Sequence, residues 1–182
     1  MSDITVLLEQ AASGHSSAPA ELLHAIHAEL RGLARTAMRR ERPDHTLQPT
    51  ALVNEAWLRL VAKPVSWESR AAFLRAAARV MREILVDHAR ARGAMKRGGD
   101  VEKIPQLDVM AVAEVEPETL LAIDAALDRL GDLDARVRQV VELRYFAGLT
   151  IEETAKVLAV GEKTVKRDWN FARVWLEKEL RS

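Results

Sequence analysis

An all-α fold, built as two small helical domains joined by an acidic linker, is predicted by three features of this sequence. Runs of alternating β-branched residues are missing, aromatics make up 4% of the chain, and Ala, Leu, Arg and Glu dominate, which favours helix over strand. Apolar residues recur at spacings of three and four, the period of one helix face. The charge balances at 27 Lys/Arg against 27 Asp/Glu, yet it is segregated along the chain. Residues 1–30 carry four acids and no Lys or Arg, residues 31–99 hold 15 Lys/Arg against 6 Asp/Glu, residues 100–134 hold 2 against 10, and residues 135–182 hold 10 against 7. Two basic blocks around an acidic one suggest two polyanion-binding units and a linker. The plain alternative is a set of solvated helix surfaces.

The elements follow in order. Ala20–Arg40 reads as a helix, with Leu22, Leu23, Ile26, Leu30, Leu33 and Ala37 on one face, and Arg42-Pro43-Asp44 breaks it. Thr50–Ala62 is the next, with Leu52, Val53, Ala56, Trp57, Leu60 and Val61 apolar, ended by Lys63-Pro64. A long helix runs from about Ser69 to Arg92, until Arg97-Gly98-Gly99 stops it. Gly98 to Glu116 has weak periodicity and clustered acids, as a linker would. Pro117 suits a first helical position. Helices of about 117–130, 134–146, 150–158 and 162–179 then follow, separated by Gly131, Gly148 and Gly161. The expected units are residues 1–97, a linker 98–116, and residues 117–182.

Several classes of function drop out. Without cysteine, disulfides, zinc-thiolate sites and thiol chemistry are excluded. No apolar run approaches the roughly 18–20 residues of a membrane span, and Met1–Gln10 lacks a signal-peptide pattern, so a cytoplasmic protein without membrane contact is expected. His24 and His27 sit three apart on a predicted helix, but no Asp/Glu/His pattern accompanies them. Neither an enzyme, a metal site nor a cofactor is expected.

The strongest motif is "LTIEETAKVLAVGEKTVKRDWNFARVWLEKEL". Thr150 followed by Glu153 fits a capping box, and Ile151, Thr154, Ala155 and Leu158 form a buried stripe. Ala159-Val160-Gly161 gives a tight turn into a longer helix, making a helix-turn-helix whose second helix reads the major groove. Lys163, Thr164, Lys166 and Arg167 can donate to phosphates or guanine edges, and Asn170 can pair with adenine. Val165, Trp169, Ala172 and Leu176 take the inward stripe. A second basic element spans 69–97, with Arg70, Arg75, Arg79, Arg82, Arg90, Arg92, Lys96 and Arg97, over Ala71, Phe73, Leu74, Ala78, Met81, Leu85 and Val86. Such a face suits single-stranded DNA. Trp67 and Phe73 could stack on bases, although a core role is favoured for each.

These stretches resemble a family. "LVNEAWLRL" (Leu52–Leu60) is similar to the second-region helix, and "ILVDHARAR" (Ile84–Arg92) to the end of the −10-reading helix, of the extracytoplasmic-function (group IV) sigma factors of bacterial RNA polymerase. "LRYFAGLTIEETAKVLAVGEKTVKRDWNFAR" (Leu143–Arg173) resembles their fourth region, which reads the −35 element. The resemblance covers nearly the whole chain in the right order, with region three absent. It implies a non-enzymatic specificity subunit that binds core RNA polymerase and promoter DNA. The polymerase-binding residues it implies are Gln48, Thr50, Leu52, Asn54, Glu55, Leu58 and Arg59. The −10 strand would lie near Arg75, Arg79, Arg82, Glu83, Asp87 and Arg90. In region four, Lys166, Arg167 and Asn170 match base-reading positions, and Lys163, Thr164 and Arg173 match phosphate contacts. The acidic linker would pass through the RNA-exit path as a nucleic-acid mimic.

Two departures matter. Where relatives show a Lys-Ser-Arg-type run, this chain reads "KRDWNF". Asp168 would repel phosphate, so it is expected to lie sideways, pairing with Arg136 or Lys163. Relatives also open the second-region helix with carboxylates, whereas Gln48, Pro49, Thr50 and Ala51 are neutral. Phosphorylation of Thr50 would bring roughly −1.5 to −2 charge there, suiting the helix dipole and the polymerase. Capping by Thr46 and Thr50 is the simpler role. With no sensing domain in view, control is expected from a Ser/Thr kinase, an anti-sigma partner or expression. The competing reading is a stand-alone helix-turn-helix regulator that binds duplex DNA without polymerase.

Overall fold

The computed structural model describes residue 6 and residues 18–37, 49–61, 69–95 and 115–181. Among these residues the chain is helical and has no strand, as its composition predicts. The helices are α1 (Ala18–Ala37), α2 (Pro49–Val61), α3 (Arg70–Met95), α4 (Pro117–Leu133), α5 (Ala135–Val141), α6 (Ile151–Leu158) and α7 (Glu162–Leu180), with a π-helical segment, Glu142–Phe146, continuing α5. None of them is long and apolar enough to cross a membrane. Gln48, Trp67, Lys96, Arg97 and nearly all of the expected linker lie outside the described residues.

Most of the apolar positions read from the sequence whose side chains are described are buried, Trp57 and Ala71 are half-buried, and Ala34, Ala77 and Ile84 join them; the side chains of Leu22, Leu23, Ala37 and Val61 lie outside the described residues. Ile26, Leu30, Leu33 and Ala34 of α1 and Leu52, Val53, Ala56 and Leu60 of α2 are buried, as are Phe73, Leu74, Ala77, Ala78, Met81, Ile84 and Leu85 of α3. α1 packs on α2, α2 on α3, and α3 reaches α4, the π-helical segment and α6. Phe73 is fully buried, so its role is core; its truncation to alanine would cost about 3–5 kcal/mol. In the C-terminal half Ile123, Leu127, Leu130, Val140, Val141, Phe146, Trp169 and Leu176 fill the interior. The buried side chains of both halves belong to one contiguous cluster.

Local chemistry sets the helix ends. Pro117 opens α4 after an extended Glu116, where its missing N–H is no loss. Asp134 closes α4 and caps α5, accepting from the N–H groups of Arg136 and Val137 at 2.9 and 3.1 Å. The Thr150–Glu153 capping box forms in both directions, at 3.2 and 2.8 Å.

Two expectations need correction. Gly131 does not separate helices: α4 runs through it to Leu133. A Cβ at Gly131 would lie 2.7 Å from the Arg138 side chain, so the glycine serves a close approach of α5 to α4. The expected 134–146 helix is also not uniform, because its last turn widens, with Ala147 N–H donating to Glu142 O at 3.1 Å. Such π-turns insert an extra residue into the ladder. Glu142, the first residue of the widened turn, is buried.

Candidate nucleic-acid interface

α6, its turn and α7 form the helix-turn-helix. Thr154 and Ala155 are buried, Ile151 and Leu158 half-buried, and Val157, outside the stripe read from sequence, is buried as well. The turn is made by Ala159 at φ 53°, with Gly161 extended as the N-cap of α7. The left-handed residue is therefore an alanine. On α7, Val165, Trp169, Ala172 and Leu176 face inward, all buried. That leaves Lys163, Lys166, Arg167 and Asn170 exposed together on the outer face, with Thr164 and Arg173 half-buried at its edges. Lys166 leans on Glu162 at only 3.9 Å, an exposed contact of small worth. The Arg144 guanidinium lies 4.8 Å over the Trp169 ring, fixing α7 against the preceding segment.

Asp168 lies side-on, within the fold. It is 3% exposed, and its Oδ2 accepts from Arg136 Nε at 2.7 Å. Its Oδ1 accepts from Arg167 Nε and Nη2 at 3.2 and 3.1 Å. Of the two partners expected for it, Arg136 is the one it pairs with. Its carboxylate, through a hydrogen bond and its charge, raises the Arg136 pKa.

The basic face of α3 is arranged differently. Arg79 is exposed and pairs with Glu83 at 3.4 Å. Arg75 Nη1 donates to Val157 O at 3.0 Å. Arg82 is buried, its guanidinium donating to Asp124 at 2.8 Å, Asp128 at 2.6 Å and Glu142 at 3.0 Å. Burial opposes its charge, but its hydrogen bonds to Asp128 and Asp124 outweigh that and raise its pKa. Arg90 reaches Asp124 at 3.4 Å and Asp87 at 3.3 Å. Three of the six −10 candidates, Arg75, Arg82 and Arg90, thus touch the C-terminal half, and Arg82 and Arg90 line a cleft of about 390 Å³. Asp124 and Asp128 went unremarked in the sequence. Their spacing of four on one face of α4 was the available signal.

On α2, no acid stands in the first turn. Thr50, Asn54 and Leu58 are exposed, Glu55 and Arg59 half-buried, and Leu52 fully buried in the core. Leu58, 63% exposed, is an apolar side chain held in water on the same helix as these polar groups. Arg59 bridges Glu55 at 2.6 Å and Asp87 at 2.9 Å, joining α2 to α3. His24 is exposed and His27 half-buried, and no group of three His, Asp or Glu placed to hold a metal occurs among the described residues.

A family model described as ECF sigma factor matches residues 1–182. No curated protein matches the sequence.

Proposed function

Given that the chain belongs to the ECF sigma factor family, whose members act in transcription initiation with RNA polymerase and promoter DNA, we propose that it is a dissociable specificity subunit with divided labour. α2 grips core polymerase, α3 holds the melted −10 strand, and α7 reads the −35 element. The observation that carries this reading is α7 itself: Lys163, Lys166, Arg167 and Asn170 stand exposed together at the start of the second helix of a capped helix-turn-helix. Donors so placed can reach phosphates and base edges in a major groove.

On α2 the exposed Leu58 supplies an apolar contact, and Asn54, Glu55 and Arg59 supply polar ones. Buried Leu52 supports that helix from beneath. The acid-free first turn leaves exposed Thr50 as the place where negative charge can be added. Its phosphorylation complements the helix N-terminus and raises affinity for polymerase. Core binding of Thr50→Glu, Thr50→Ala and wild type prepared without a kinase tests this. Only Thr50→Glu should bind tightly, and equal binding by unmodified wild type would remove the switch.

Run-off transcription with purified core polymerase over a promoter library tests the whole reading. Promoter-specific transcripts that require both the chain and core polymerase are expected. A footprint on promoter DNA by the chain alone, undiminished without polymerase, would mark a stand-alone regulator.

A further inference from the structure

We propose that Asp168 is a positioning residue for specificity, holding Arg167 in the orientation that reads a base. This rests on the assignment of α7 to duplex DNA. The side chain of Arg167 is 69% exposed and that of Asp168 4%. A buried carboxylate therefore anchors a guanidinium that remains open to solvent. Nε and Nη2 of Arg167 are both committed to Oδ1, which directs the remaining donors of the rigid fork outward. The carboxylate cannot swing to follow Arg167, because its Oδ2 is held by Arg136 at 2.7 Å from the N-terminal end of α5. Arg136, Asp168 and Arg167 thus form a relay from the body of the fold to the outer face of α7. A flexible arginine loses rotamer freedom when it binds, whereas one already fixed reads a base edge at lower entropic cost. The acid that seemed hostile to DNA is masked by two arginines and acts through one of them.

The test uses holoenzyme, the full chain with core polymerase, selecting from a randomised duplex library. Wild type should enrich a −35 element, whatever −10 sequence accompanies it. Arg167→Ala should lose preference at one base pair by about tenfold, the scale of a single bidentate contact. Asp168→Asn should lose preference at that same base pair to a similar extent, and the double variant should lose no more than Arg167→Ala. Ratios between sequences are independent of how much protein is folded. Preference retained at that base pair by Asp168→Asn, or a loss spread evenly over all positions, would overturn the role. Absence of an enriched −35 element with wild type would instead remove the assignment of α7, and this role with it.

A separate observation carries a second inference. Arg75, Arg82 and Arg90 are all engaged by the C-terminal half, through Val157 O, the Asp124/Asp128/Glu142 acids and Asp124 respectively. We infer that this is a closed form in which the carboxylates of α4 occupy the face of α3 that would take a DNA strand. Arg59 ties the polymerase-facing helix to Asp87, and Asp87 to Arg90, so a partner that draws off Arg59 weakens the same network. The full chain with fluorophores in its two halves, titrated with a single-stranded oligonucleotide of random sequence, reads both opening and binding. Asp124→Asn/Asp128→Asn should move the halves apart and bind the strand about tenfold more tightly. The equal charge change at exposed Glu116 and Asp132, Glu116→Gln/Asp132→Asn, should do neither. Equal strand affinity for the two double variants would overturn the closed form, as would tighter binding without separation.

Discussion

Arg82 and Glu142, 60 residues apart in the chain, meet at 3.0 Å with both side chains 8% exposed. Charges so far from water are tolerated only when paired, and Arg82 also holds Asp124 and Asp128. Removing Arg82 leaves Glu142 with Arg138 at 3.7 Å as its remaining cation. Arg82→Ala should therefore lower the free energy of unfolding by about 1–3 kcal/mol. The loss should shrink when Glu142→Gln is already present. Urea unfolding of the four-member cycle at neutral pH measures this, and equal losses in both backgrounds would show the two residues to be uncoupled.

Tyr145 is buried, and its hydroxyl has no hydrogen-bond partner among the described residues. Burial pushes its pKa above the ordinary 10.0. The folded chain thus holds the phenol proton more tightly than the unfolded chain does. Stability is complete below pH 10 and falls as the pH rises beyond it. Tyr145→Phe should be neutral or stabilising by up to about 1 kcal/mol at neutral pH, and should lessen the alkaline loss. Denaturant curves at neutral pH and above pH 10 would show it.

The helix-turn-helix turns on Ala159 at φ 53°. An L-residue with a Cβ is disfavoured there by roughly 1–2 kcal/mol, part of which glycine would give back through its greater freedom when unfolded. Ala159→Gly should raise stability by about 0.5 kcal/mol. A lower melting temperature would mean that the Ala159 methyl makes a contact worth more than the strain.

Thr150→Ala removes the side-chain arm of the capping box that accepts from Glu153 N–H, and should cost about 1 kcal/mol. Glu153→Ala removes the reciprocal arm and should cost less, since Thr150 still caps the helix. Thermal unfolding of both variants sets the order.

The parts legible in the sequence were those with local causes. The capping box, the Ala159-Val160-Gly161 turn and the Val165/Trp169/Ala172/Leu176 stripe are each decided within a few residues, and each stands where the spacing put it. Asp168 was legible too, since an acid among the basic side chains at the start of α7 needs a cation beside it. Gly131 misled because glycine has two uses, ending a helix and admitting a neighbour, and only the approach of Arg138 tells them apart. The Arg82 network was hidden because periodicity shows which face of α3 is basic, not which acids return to it from 42 to 60 positions away. The widened turn at Glu142 has no composition of its own.

The arrangement of Arg82 and Arg90 among carboxylates has a consequence for ionic strength. When free cationic side chains meet a nucleic acid, condensed counterions escape, and the affinity falls steeply as salt is added. In the closed form proposed above, these arginines would exchange Asp124, Asp128 and Glu142 for phosphates, so salt would weaken the old partnership along with the new. The chain's hold on a strand should therefore fade more gently with salt than its number of phosphate contacts implies.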